Sequence, residues 1–159
     1  MKKIIQKLVC LLAFPLLLCS CDQEDDVMEI FDSGIWNVEN FYSSVDWGTN
    51  GLDWGKPEFI QERERNILKQ ITIVFKDDGT FSGELSNKGG SYSGKWEAHP
   101  EDRTFSVIGN VKAPGNVSGK NKEYIQRLQA AKFYRGDSRN VLRLAPESKN
   151  NCIQFTHLR

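Results

Sequence analysis

The feature that most limits the fold is a series of short apolar stretches, each cut off by a glycine or aspartate turn. In ILKQITIVFK, residues 67 to 76, Ile67, Ile71, Ile73 and Phe75 share one parity, with Lys69 interrupting them. That alternation is the period of a strand with one buried face. Asp77-Asp78-Gly79 turns the chain. TFSGEL then sets Phe81 and Leu85 on one face, with Gly83 between them. After SNKGG, the stretch YSGKWEA sets Tyr92, Gly94 and Trp96 together, and TFSVIG does the same with Phe105 and Val107. Short strands joined by tight turns predict an antiparallel meander. Gly83 and Gly94 fall on the inward parity, where a missing side chain lets a neighbouring aromatic come close.

The same reading extends both ways. GIWNVENFY, opening at Gly34, predicts a first strand with Ile35 followed by Trp36, Val38 and, out of phase, Phe41. Residues 110 to 121, NVKAPGNVSGKN, are loop by composition. KEYIQRLQAAKFY follows, and Tyr124, Ile125, Leu128 and Ala131 recur at the spacing of an amphipathic helix. AKFYRG, VLRLA and CIQFTHL read as strands again. The expected fold is mostly β: a single antiparallel β-barrel-like domain of about eight strands with one late short α-helix, because closure hides strand edges. This domain occupies residues 34–159, with an insertion at 43–66 after the first strand.

The first residues carry an address. MKKIIQKL, with Lys2, Lys3 and Lys7, precedes an apolar run from Leu8 to Leu18, the pattern of a secretory signal peptide over residues 1–20. Leu18-Cys19-Ser20-Cys21 resembles a bacterial lipobox, which implies that Cys21 is acylated and becomes the new N-terminus. Several acyl chains on one residue anchor stably, at ~0.8 kcal/mol per buried methylene. Residues 21–33 are then expected to form a lipidated acidic tether, extended and solvated, with Asp22, Glu24, Asp25, Asp26 and Glu29. The run also resembles the acidic export signal of Bacteroidetes surface lipoproteins. The expected location is the outer membrane, lipid-anchored, with the domain facing the periplasm or the cell exterior.

Removing residues 1–20 takes away three of 21 basic residues and none of the 21 acidic ones, leaving 18 against 21. Such a balance offers no electrostatic attraction to nucleic acid. Of four cysteines only Cys152 remains unmodified, so no internal disulfide is expected and a core must hold the fold.

Taken together, the early tryptophan, the DDGTFSG hairpin, the Gly-rich turn before YSGKW, the helix EYIQRLQAA and the closing LRLAPE…CIQF resemble the META/HslJ-like domain, and more broadly the small lipocalin-like lipoproteins of Bacteroidetes. The resemblance covers about residues 34 to 158. It implies a compact barrel-like envelope domain and carries over no catalytic residue. The central hairpin departs from the family: where a Gly-Cys-Asn element is common, this chain has Leu85-Ser86-Asn87.

Two places are candidate sites. The insertion repeats Asp-Trp-Gly at 46–48 and 53–55, so Trp47 and Trp54 either form an exposed platform for a glycan, peptide or protein, or fold back onto the domain. Trp36, Phe75, Phe81, Tyr92, Trp96, Phe105 and Phe155 would line the interior, either filling it or enclosing a small apolar ligand. No catalytic set stands out. His99 sits in the turn HPEDR, and Cys152 and His157 are five residues apart on one strand, which sends them to opposite faces. No metal-ligand spacing and no cofactor motif is present. The expectation is a monomeric, non-enzymatic binding or structural accessory, with a small-ligand carrier as the alternative.

Overall fold

The computed structural model describes residues 23–48, 55–136 and 140–158. The signal segment, Cys21 and Trp54 lie outside these residues. The described chain enters through helix α1 (Gln23–Phe31) and strand β1 (Ile35–Ser43), then the short β2 (Lys56–Pro57) and helix α2 (Glu62–Leu68). Strands β3 (Thr72–Phe75), β4 (Thr80–Glu84), β5 (Ser91–His99) and β6 (Thr104–Lys112) follow. A 3-10 turn, Ser86–Lys88, joins β4 to β5. Helix α3 (Gly119–Ala130) precedes β7 (Phe133–Gly136), β8 (Val141–Ala145) and β9 (Asn151–His157).

Nine strands form one antiparallel sheet in the order β2-β1-β3-β4-β5-β6-β7-β8-β9, and β1 also pairs with β9. Along β1 the register with β9 shifts between Val38 and Asn40. This bulge flips the parity, so that Trp36, Val38 and Phe41 all face the core and Tyr42 faces out opposite Cys152. Phe41 is out of phase in the sequence for this reason.

The expectation of a barrel of about eight strands with one late helix is corrected here. A regular barrel needs a continuous ladder around its wall. The junction between β6 and β7 instead narrows to one register pair, Thr104↔Phe133. Beyond that pair α3 lies against β6, and its Gln129 accepts from the Val111 amide (2.8 Å) and donates to the Gly109 carbonyl (2.8 Å). Among the described residues the result is a nine-stranded sheet with three α-helices.

The tether expected over residues 21–33 also differs. Residues 23–31 are helical, and Val27, Ile30 and Phe31 are buried at the i, i+3, i+4 spacing of one helix face. Phe31 is fully buried, with its ring centroid 4.7 Å from Trp96, 4.9 Å from Phe75, 5.1 Å from Tyr134 and 5.7 Å from Phe105. The domain therefore begins within α1, ahead of Gly34. The acidic residues hid this face, because only three of nine positions carry its apolar signal.

The two inward glycines act as expected. A Cβ on Gly83 would collide with the Thr72 carbonyl and come within 2.6 Å of the Tyr92 hydroxyl. One on Gly94 would meet Phe81 Cε1 at 2.8 Å. Aromatic bulk from one strand thus takes the space left on the next.

Candidate functional site

The seven aromatics named from the sequence do converge. Trp36, Phe75, Phe81, Tyr92, Trp96, Phe105 and Phe155 are each at most 5% exposed. They meet one another: Phe75 lies 5.3 Å from Trp96 and 6.0 Å from Phe105, centroid to centroid, and Phe155 lies 6.3 Å from Tyr124 of α3. Ring packs on ring, with Phe31 driven into the middle.

The polar ends of these rings are mostly satisfied. The Tyr92 hydroxyl donates to the Thr72 carbonyl at 2.7 Å. Its single hydrogen being used, the Tyr124 hydroxyl must donate to Tyr92 across 2.6 Å. Burial pushes both phenols above their ordinary range. Trp96 Nε1 donates to the Thr80 carbonyl at 3.0 Å. Trp36 Nε1 is buried without a partner, edge-on to the His157 ring at 4.9 Å. His157 Nε2 lies 2.7 Å from the Ser33 carbonyl, which can only accept, so the proton is on Nε2 and the ring ties the end of β9 to the α1–β1 link.

Trp47 occupies neither a free platform nor the interior. It is half-buried, packing with Tyr42 and Val45 over Ala145 and Cys152 on the outer face of the sheet. Arg135 donates to its carbonyl. Cys152 is buried in this outer cluster, opposite in face to His157 as expected, and burial pushes its thiol up to about 12. A thiol so protonated is no nucleophile near neutral pH. His99 is exposed, 4.0 Å from Glu101. Among the described residues no three His, Cys, Asp or Glu side chains are grouped to hold a metal.

Sequence reasoning missed the charged clamp around Arg127. Its Nη2 donates to Glu58 (2.8 Å) and Glu123 (2.8 Å), and its guanidinium lies 4.6 Å from the Phe41 ring centroid. Nη1 is buried without a partner. Arg127 borders a depression of about 310 Å³ lined also by Glu123, Leu144, Pro146 and Ile153. Nearby, buried Asn40 donates to the Phe59 carbonyl (2.8 Å) and accepts from the Phe59 amide (3.1 Å). These bonds pin the described end of the insertion to β1 and α3. Only the Glu123/Arg127 pair, four apart on a helix, was visible in the sequence.

The family profile for DUF4847, a domain of unknown function, matches residues 22–157, and the chain belongs to this family. The crystal structure of a DUF4847 family protein from Bacteroides vulgatus ATCC 8482 aligns at a TM-score of 0.72 with 36% identity, over 83% of this chain and 97% of that one. An NMR structure of a protein from Burkholderia xenovorans aligns at 0.53 with 13% identity, over 87% of this chain and 90% of that one, and shares the fold alone. No curated protein matches. The META/HslJ-like and lipocalin-like resemblance is overturned by this family assignment. The family boundary at residue 22 agrees with a domain that starts in α1.

Proposed function

We propose that the protein is a lipid-anchored envelope domain without catalytic activity, acting as a monomer that binds a partner on its outer surface. One observation carries the surface reading. The aromatic set that would have to surround an enclosed ligand is packed on itself, with Phe31 in contact with four of its rings. Recognition then falls to the outer face, where Trp47 is half-buried and Arg127 borders a shallow depression.

Support for the anchor comes from the basic and apolar leader, the lipobox-like Leu18-Cys19-Ser20-Cys21 and the 36% identity to a Bacteroides vulgatus protein. Only Asp22 separates Cys21 from the first residue of α1. Two residue steps span at most ~7 Å. An acylated Cys21 would therefore seat the domain directly on the bilayer. The test is metabolic labelling with an alkyne palmitate analogue in a Bacteroides host, comparing wild type with Cys21→Ser. Label and membrane retention in wild type, both lost in the variant, support the anchor. Equal label in both proteins refutes it.

A further inference from the structure

On the outer face of β4, β5 and β6, three lysines surround a groove that holds no carboxylate. The groove has a volume of about 520 Å³, and Lys76, Lys95, Lys112, Ser82, Ser93 and Asn110 are among its lining residues. Strand register explains the grouping. Ser82 pairs with Ser93, and Ser93 with Lys112, which makes one row across three strands. Thr80, Lys95 and Ile108 make the next row, and Lys76 follows β3 beside it, its amide donating to the Thr80 carbonyl.

The concavity is built by the backbone. Between the pairs Ser93↔Lys112 and Lys95↔Ile108, β5 contributes one residue and β6 three. The extra residues of β6 bow outward through Gly109, whose φ is +74°. Gln129 of α3 holds that bulge through the Gly109 carbonyl and the Val111 amide. Gly94 forms part of the floor, directly over the Phe81 ring.

The charges are uncompensated within the groove. Glu84, one rung away, accepts from Ser91 (2.7 Å), and Glu97, one rung away on the other side, accepts from Ser106 (2.8 Å). Asp78 accepts from the Thr80 amide (2.9 Å) and hydroxyl, with Lys76 adding only the weakest of the influences on its carboxyl. The neighbouring carboxylates thus take neutral donors. Among the described residues, none of the three ammonium groups forms an ion pair or hydrogen bond. The Ser82 and Ser93 hydroxyls are likewise without a described partner.

Three cations and two hydroxyl donors around one hollow, with no carboxylate among the lining residues, match a tetrahedral oxyanion. We propose that this groove binds a small molecule bearing a phosphate or sulfate ester. Gly94 and Ile108 line the same groove beside the lysines and offer a surface for the rest of the ester. This reading deepens the outer-surface function and does not depend on the anchor.

The test uses the full chain, purified and isotope-labelled, titrated at constant ionic strength with inorganic phosphate and with sulfate. Amide shifts are followed at Ser82, Ser93, Lys95 and Asn110. The expected result is saturable movement of these amides, weakened about tenfold or more in Lys95→Ala/Lys112→Ala and unchanged in Lys88→Ala/Lys122→Ala, which removes the same charge elsewhere. Non-saturating shifts, or equal weakening by both pairs, overturn the site. Separate arms use vesicles of phosphatidylcholine with and without phosphatidylglycerol. Binding confined to the anionic vesicles, with no response to phosphate or sulfate, would make the groove a membrane contact and overturn the small-ligand proposal. Loss of the phosphate response leaves the outer-surface reading to be judged at Trp47 and Arg127.

Discussion

Phe31→Ala separates a helix that belongs to the core from a segment that only tethers it. The wild-type ring is fully buried and touches Phe75, Trp96, Phe105 and Tyr134. Truncating a buried phenylalanine to alanine costs about 3–5 kcal/mol, combining lost transfer energy with the cavity left behind. The upper half applies here, because the four surrounding rings belong to β3, β5, β6 and β7 and cannot all close the gap. A substitution in a solvated tether would change stability by at most about 0.5 kcal/mol. For a urea slope of about 2 kcal/mol per molar, a loss of about 4 kcal/mol lowers the midpoint by about 2 M. Equilibrium urea unfolding of the full chain, followed by tryptophan fluorescence, reads this directly. Phe31→Leu should recover part of the loss, since it refills much of the volume. A midpoint drop below about 0.3 M in Phe31→Ala, at unchanged slope, would show that α1 contributes nothing to the fold and refute the packing argument.

Other expectations follow from single side chains. Tyr92→Phe removes the donor to Thr72 and the acceptor for Tyr124, whereas Tyr124→Phe removes only its donation to Tyr92. The first should cost about 2–3 kcal/mol in urea unfolding and the second about 1 kcal/mol; equal costs would contradict the donor order assigned to the pair. The Cys152 thiol, raised to about 12 by burial, should resist a disulfide reagent at pH 8 in the native state and react once urea unfolds the chain. Labelling of native protein as fast as that of unfolded protein would place the thiol at the surface.

Asp78 and Asp102 each accept from the hydroxyl and amide of the threonine two residues on, which holds their carboxyls below the ordinary range. A carboxyl depressed in the folded state contributes stability above the unfolded pKa and loses it as pH falls through the folded pKa. Thr80→Val should therefore raise the Asp78 titration toward the ordinary value in a carbon-detected NMR experiment and leave Asp102 unmoved. An unchanged Asp78 curve would assign its depression to something other than the Thr80 hydroxyl.

The meander was legible because its information is local. Alternation in TFSGEL and YSGKW, and the Asp-x-Thr turns at 78–80 and 102–104, need no distant partner to be read. Ile67 and Leu68 show where that locality fails. The parity of Ile67 continues the strand pattern backwards, yet both residues finish α2, and Lys69 marks the change rather than interrupting a strand. Helix α1 was harder still, since its buried face spends three apolar residues among four acids and reads as tether unless the aromatic ring of neighbours is known.

The outer surface was unreadable for a different reason. Lys76, Lys95 and Lys112 are spread over 37 positions and meet only because three hairpins and a bulge set the register between them. Periodicity says that Ser82, Ser93 and Lys95 face outward, but a two-residue bulge in β6 decides that Lys112 faces Ser93 and Ile108 faces Lys95. That bulge is held by Gln129, far along in the helix that fills the widening between β6 and β7. The same departure from a continuous ladder that overturned the barrel expectation therefore shapes the groove. A Gln129→Ala variant would tie the two together, since it should leave the β4–β5 register intact while loosening the wall that carries Asn110 and Lys112. Hydrogen exchange would show this as faster exchange at Val111 with unchanged protection at Ser82 and Gly83. Uniform loss of protection across β4 to β6 would mean instead that the bulge is maintained by the sheet itself and that Gln129 supports the whole face.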